Sequence, residues 1–239
     1  MEHKRLFVPI ISVLMALLVP LIICLYNFNS VVFDDNFYKK EFLKYDVYET
    51  LGDYDIESIN NDVLDYLAHG KSDELIENDF FNEREKKHLL DVKTIIQETL
   101  MMYYFSITLF ILFFISLAFL MELNFKNIAK RLLIIALSGS SLNFLVGVLL
   151  FFLSNSNFNF VFDAFHKTFF NAGTFIFNPA FENIVALYPQ NLFLDALIST
   201  IFGAIITSMA ILFFCAMFFI ISNRKFFENF SEKCRRKRP

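Results

Sequence analysis

A chain of 239 residues in which 56% are apolar, 34 are phenylalanine and none is tryptophan departs from the soluble average of about 45–50% apolar, and an ordinary soluble domain is excluded. The net charge of −4 conceals an acidic stretch set between basic flanks. The three cysteines, Cys24, Cys215 and Cys234, supply neither a disulfide framework nor a paired metal spacing.

Residues 1–27 read as a short basic start and a first membrane span, with an apolar run at 6–25 close to the roughly 20 residues that cross a hydrocarbon core. Pro9 and Pro20 should bend it. Its beginning is like a signal peptide, but the apolar part is too long, and Leu21-Ile22-Ile23-Cys24 lacks the small residue expected before a lipidated cysteine, so the span is read as uncleaved. Residues 28–98 then form an acidic segment. Between 26 and 100 the chain carries 18 Asp and Glu against 8 Lys and Arg. Up to Ile56 its aromatic residues are irregularly spaced, compatible with strands or short helices. From Ser58 the stripe Ile59, Val63, Tyr66 and Leu67 predicts a helix that Gly70 can end, with His69 as a solvated residue at its terminus.

The stretch 82–94, N-E-R-E-K-K-H-L-L-D-V-K-T, predicts the next helix. Asn82 and Glu85 have the spacing of a capping box, with Asn in place of the usual Ser or Thr. Glu85, His88 and Asp91 share one helical face, so a carboxylate on either side could orient one imidazole nitrogen and leave the other available. The plainer reading is a solvated histidine on a helix rich in Glu and Lys. Nothing breaks this helix before the second span, 99–121, whose apolar run is 101–120. A straight helix holds His88 about 20 Å beyond the hydrocarbon, at 1.5 Å per residue. A bend or tilt between Thr94 and Thr99 is therefore expected to lower it.

Residues 122–131 form a short loop with Lys126, Lys130 and Arg131, followed by a third span at 132–153. Gly139, Asn143 and Gly147 recur every fourth residue there, a face on which another helix can approach closely, and Ser199, Gly203 and Thr207 make a matching face on the fourth span, 196–221. Helix packing, with Asn143 as an interhelical hydrogen bonder, is favoured over a substrate path. The tail 222–239 is strongly basic; behind a span it reads as an anchor beside anionic lipid, and no nucleic acid partner is expected. The basic segments at the start, in the loop and in the tail place both termini in the cytoplasm. Residues 28–98 and 154–195 then lie outside. The predicted fold class is an all-α, multi-pass cell-membrane protein of four transmembrane helices, with extracytoplasmic segments after spans 1 and 3.

In the second outer segment Phe158, Phe162, Phe165 and Phe169 recur at helical spacing, and Asn171 or Gly173 can end the helix. A short helix with a phenylalanine face suits the membrane interface. His166 sits among these rings, with Asp163 three residues before it on the same face.

The two histidine segments together resemble a known family. E-R-E-K-K-H-L-L-D-V at 83–92 and F-H-K-T-F-F-N-A-G-T-F-I-F-N-P-A-F-E-N-I-V-A-L-Y-P-Q-N-L-F at 165–193, with N-D-V-L-D-Y-L at 61–67 before them, are similar to motifs of the small four-span lipoprotein intramolecular transacylases, the Lit family. The likeness covers roughly two thirds of the chain. The chain differs from the family pattern at Phe175 and Asn178, which stand where the family has Trp and Asp. The resemblance implies an enzyme that moves the sn-2 acyl chain of a diacylglyceryl-cysteine lipoprotein to the α-amine of the same cysteine. Its partners are then membrane lipid and the diacylated lipoprotein, and its site faces the extracytoplasmic side. His88 and His166 would be the catalytic pair, with Glu85, Asp91 and Asp163 in support and Phe162, Phe165, Phe169 and Phe175 binding the substrate.

The chemistry suits these residue types. An amine loses a proton as it attacks an ester, the departing oxygen gains one, and histidine titrates near 6.5, close to an α-amine at about 7.7–8.0. His88 is assigned as base and His166 as acid, with exchangeable roles; an acyl-histidine intermediate is an alternative route. No metal and no cofactor is expected. Two other readings stay open at this level: a zinc-dependent lipid hydrolase using Glu85, His88, Asp91 and His166, and a non-enzymatic membrane protein whose acidic outer domain binds a partner. The oligomeric state is left open.

Overall fold

The computed structural model describes residues 2–69, 74–170 and 176–235. Among these, all regular structure is helical: α1 (Glu2–Val32), α2 (Asp35–Lys44), α3 (Val47–Thr50), α4 (Ile56–Ala68), α5 (Glu83–Leu120), α6 (Phe125–Ser156), α7 (Phe158–Phe169), α8 (Ile184–Leu187) and α9 (Gln190–Arg235). Four of them are long and apolar enough to cross a membrane, over Leu6–Val32, Glu83–Leu120, Phe125–Ser154 and Gln190–Ile221. The short helices gather at one end as a cap. The segment between Tyr26 and Ile56 is helical, with α2 started by the Asp34 side chain on Asn36 N and α4 by Asp55 on Ser58 N. The expected stripe of α4 is buried at Ile59, Val63 and Leu67. His69 caps its end, 74% exposed and 3.0 Å from Asp65, and Gly70 lies outside the described residues.

α1 is the central span, packed on α5, α6 and α9, while α6 and α9 pack on each other. Close approach depends on glycine. A Cβ on Gly139 of α6 would stand 2.5 Å from Val19 Cβ and 2.7 Å from the Ala16 carbonyl of α1, nearer than real atoms come. The matching face on α9 lies one residue round from Gly203 and Thr207: Asn143 Nδ2 donates to the Ala204 carbonyl at 3.1 Å and to Ser208 Oγ at 2.8 Å. Gly203 and Thr207 turn instead towards Asn27 of α1, whose amide donates to Thr207 Oγ1 at 3.3 Å. Three helices meeting around α1 thus divide the small residues between two contacts.

The cap has its own core, in which Phe42, Val47, Ile56, Val63, Leu89 and Leu187 are all buried. Each such side chain contributes roughly 1.5–3 kcal/mol on leaving water. Leu89 and Ile96 belong to the first turns of α5 and Leu187 to α8, so this core joins the two histidine segments. α5 is helical throughout, with no break between Thr94 and Thr99. The other segment climbs to His88. α6 follows α5 after the turn 121–124, in which Glu122 and Leu123 take left-handed φ of 55° and 53°. α6 has 32 residues, about 48 Å, and the same length back from Leu120 along α5 reaches the turn that holds His88.

Candidate active site

The site is assembled from the start of α5, the end of α7 and the chain around 176–184. The capping box forms: Asn82 Oδ1 accepts from the amides of Arg84 and Glu85 at 2.9 and 3.0 Å, and Glu85 Oε2 accepts from Asn82 N at 2.7 Å. The second Glu85 oxygen accepts from Ile184 N at 2.7 Å. Its carboxylate is therefore spent on two backbone amides and does not reach the imidazole; it ties the later segment to the first turn of α5.

His88 is buried, 8% exposed. Its ring lies 4.8 Å from Phe170 and 5.1 Å from Phe177, centroid to centroid, and 6.4 Å from His166 with an interplanar angle of 15°. The charged, membrane-distal turns of α5 stand outside the apolar run 101–120. Burial, then the charges of His166 and Arg84, lower the His88 pKa to about 4, so the ring is neutral at physiological pH. Its Nδ1 is buried with no hydrogen-bond partner. Such an atom costs about 1–3 kcal/mol, which a bound amine or water relieves.

His166 sits on the last turns of α7, half-buried. Its Nδ1–H donates to the Phe162 carbonyl at 2.8 Å, which fixes the tautomer and assigns the lone pair of the neutral ring to Nε2. Phe162 packs on it at 4.1 Å, Phe170 at 5.2 Å and Phe165 at 5.4 Å. Two protonated rings 6.4 Å apart would repel by about 2–3 kcal/mol at an effective dielectric of about 20.

The other expected residues fall around this pair unequally. Asp91 is half-buried, its carboxyl pKa raised by burial, and no hydrogen bond joins it to His88. Asp163 is exposed and makes none to His166. Phe162 is half-buried against Phe193 of α9, while Phe165 and Phe169 are exposed, 42% and 56%, with rings 5.0 Å apart. Phe175 lies outside the described residues. Among the described residues no three His, Cys, Asp or Glu side chains converge as metal ligands, and the zinc set of Glu85, His88, Asp91 and His166 fails at Glu85, whose oxygens face amides.

Sequence reasoning missed Arg84, Glu182, Phe170 and Phe177. The Arg84 guanidinium donates to Glu182 Oε1 at 2.8 Å and to the Ile176 carbonyl, and lies 5.1 Å over the Phe177 ring. Glu182 is buried and also accepts from Asn178 N at 2.5 Å. Asn183 Nδ2 donates to the Phe80 carbonyl at 2.8 Å. These bonds fasten Phe177 over His88. A signal was available: Glu182 is an isolated carboxylate in an apolar stretch, and such a group requires a cation or backbone donors. An open acidic concavity lined by Leu75, Ile76, Glu77, Asp79, Glu83 and Lys86 lies beside the same turn of α5 without including either histidine.

The family model described as "Lipoprotein intramolecular transacylase Lit" matches residues 13–193. Among solved structures, the chain is similar to the membrane integral lipoprotein intramolecular transacylase Lit from Bacillus cereus, determined in meso, with a TM-score of 0.74 and 19% identity over 94% of this chain and 99% of that one. A histidine-to-arginine variant of that protein matches with a TM-score of 0.71 at 19% identity over 94% and 95% of the two chains. A histidine-to-alanine variant matches at 0.72 and 18% over 94% and 96%. At such identity the likeness is one of fold. No curated protein matches the chain significantly by sequence.

Proposed function

The chain belongs to the lipoprotein intramolecular transacylase family, and on that premise we propose that it moves the sn-2 acyl chain of a diacylglyceryl-cysteine lipoprotein onto the α-amine of the same cysteine, leaving the lyso form. The observation that carries this reading is the meeting of His88 and His166, drawn from two distant segments to 6.4 Å inside a wall of phenylalanine.

The substrate amine attacks the sn-2 carbonyl carbon, forming the C–N bond. His88, neutral above about pH 4, takes the amine proton. His88 passes that proton to the Nε2 lone pair of His166, and the tetrahedral intermediate collapses with loss of the C–O bond to glycerol as His166 delivers it to that oxygen. The proton lost by the amine thus ends on the glycerol and both rings are neutral again, so atoms and charge balance without a co-reactant. The two roles can be exchanged. Amine and ester belong to one molecule, and folding it into an attack geometry supplies much of the rate advantage. Glu85 and the Arg84–Glu182 pair act as positioning groups. The basic flanks orient the cap, and with it this site, to the extracytoplasmic side.

The test is mass spectrometry of lipoprotein N-termini from a strain lacking N-acylation, with the protein or its variants expressed. The protein should convert diacylglyceryl-cysteine to the N-acyl lyso form. His88→Ala and His166→Ala should each lower conversion by about 10²-fold or more with the protein still folded. Unchanged N-termini with the unaltered protein would refute the proposal.

A further inference from the structure

We propose that Glu41 is a positioning residue for the reaction: its buried carboxyl, in the protonated form, donates to Asp195 and latches α2 of the cap onto the head of α9, against which the His166 helix is set. This rests on the function proposed above and adds to it a residue outside the reacting pair.

Glu41 lies near the end of α2 and is 3% exposed. Its Oε2 is buried with no hydrogen-bond partner. Lys44 Nζ stands 3.5 Å from that oxygen, but the ammonium is held by Asp195 Oδ2 at 2.5 Å, and the Tyr45 hydroxyl donates to the same Asp195 oxygen. The two carboxyls are within hydrogen-bond reach of each other. Two carboxyls facing one ammonium leave a negative charge to spare, and a buried carboxylate without a donor is neutralised by taking a proton. Burial, then the hydrogen bond and the charge of Asp195, push the Glu41 carboxyl above its ordinary range. A proton on Oε2 gives that oxygen a partner in Asp195, in a bond of the strong, charge-assisted kind. On its other side α2 meets α3 and α4, whose titratable groups gather round Lys39 instead: Lys39 pairs with Asp35 at 2.9 Å and with Glu57 of α4 at 3.0 Å, and Tyr48 of α3 faces the same three groups.

The head of α9 stands between this latch and the reacting pair. Asp195 and Phe193 lie about 200° apart round the helix, so α2 holds one side and α7 the other. There Gln190 Nε2 donates to Asn159 Oδ1 of α7 at 3.0 Å, Phe193 packs on Phe162 at 5.9 Å, and Phe162 packs on His166 at 4.1 Å. In the cap, Phe42 beside Glu41 shares a buried core with Leu89 beside His88. The latch closes a ring of contacts whose two ends are the imidazoles, and its release frees His166 to shift from His88. A misplacement of about 1 Å costs about 10²-fold in rate. Because the bond is made by a titrating proton, it is lost as the pH rises: once Glu41 ionises, two carboxylates face each other.

The experiment follows acyl transfer by the full-length protein on a synthetic diacylglyceryl-cysteine peptide in phosphatidylcholine vesicles, from about pH 6 to about pH 9. Glu41→Ala should lower kcat about tenfold and leave KM within about twofold, because the reacting groups move while the lipid keeps its seat. Glu41→Gln, whose amide donates to Asp195 at any pH, should match the unaltered protein at the acid end and exceed its kcat several-fold at the alkaline end. Lys39→Gln, on the same helix and outside the latch, should keep the unaltered profile. Identical pH profiles for Glu41→Gln and the unaltered protein would overturn the latch, as would an unchanged kcat in Glu41→Ala or an equal loss in Lys39→Gln. Where Glu41→Ala does not fold, the Glu41→Gln profile decides. If the unaltered protein transfers no acyl chain, the function proposal fails and infrared spectroscopy decides the latch: the carbonyl band of a protonated carboxyl should outlast the ionisation of the exposed carboxyls and be missing from Glu41→Gln, and equal spectra would overturn it.

Discussion

Acidification should unfold the protein through His88, by an amount set by its burial. The folded ring titrates at about 4, held down first by desolvation and then by the charges of His166 and Arg84; in the unfolded chain it titrates at about 6.5. On lowering the pH the unfolded state takes up the proton first, so protonation favours unfolding. The His88 contribution is fully present above about pH 6.5, drains away between about 6.5 and 4, and has gone below that. The interval corresponds to about 3 kcal/mol in total and about 2 kcal/mol by pH 5, at 1.36 kcal/mol per unit. For a chain of this size that is about 4–8 °C in Tm between pH 7.5 and pH 5. The chain has no tryptophan, so the melt is followed by circular dichroism at 222 nm in detergent. His88→Gln should lose most of this difference, because its side chain does not titrate. Equal acid losses in the two proteins would refute the assignment of a desolvated, neutral His88.

Other consequences follow from single contacts. Glu85→Ala removes two carboxylate bonds to backbone amides and should cost about 2–4 kcal/mol of stability, read as a lower Tm, with Glu85→Gln losing less; an unchanged Tm would count against the tie between α5 and Ile184. Arg84→Lys keeps the charge but cannot span Glu182, the Ile176 carbonyl and the Phe177 ring together, so kcat should fall about tenfold while the secondary structure is retained. Gly139→Ala drives a Cβ into Val19 and the Ala16 carbonyl and should destabilise by about 1–3 kcal/mol. Gly52→Ala, whose nearest contact would be 3.4 Å, should melt like the unaltered protein, which makes it the control.

Much of the architecture was legible in the residue order because its determinants are local. Apolar runs near 20 residues marked the four long helices, the Asn82–Glu85 spacing marked the start of α5, and the phenylalanine repeat marked α7; each signal lies within a few turns of the structure it specifies. The stretch between Tyr26 and Ile56 was ambiguous because its aromatic residues are buried by several neighbouring elements rather than along one stripe, as Phe42 is by Tyr38, Tyr48 and Tyr188.

Residue order alone picks out the histidines that stand at helix positions beside the apolar runs, and with the family motifs it singles out His88 and His166. How they meet is a matter of long-range packing. Their distance depends on the matched lengths of α5 and α6 and on a cap core shared by Leu89 and Leu187, sums over long-range contacts that no local pattern records. The same holds for the partners of Glu85: spacing placed it on the face of His88, but the Asn82 and Ile184 amides hold its oxygens more strongly than a neutral imidazole can, because a buried amide has no water to turn to.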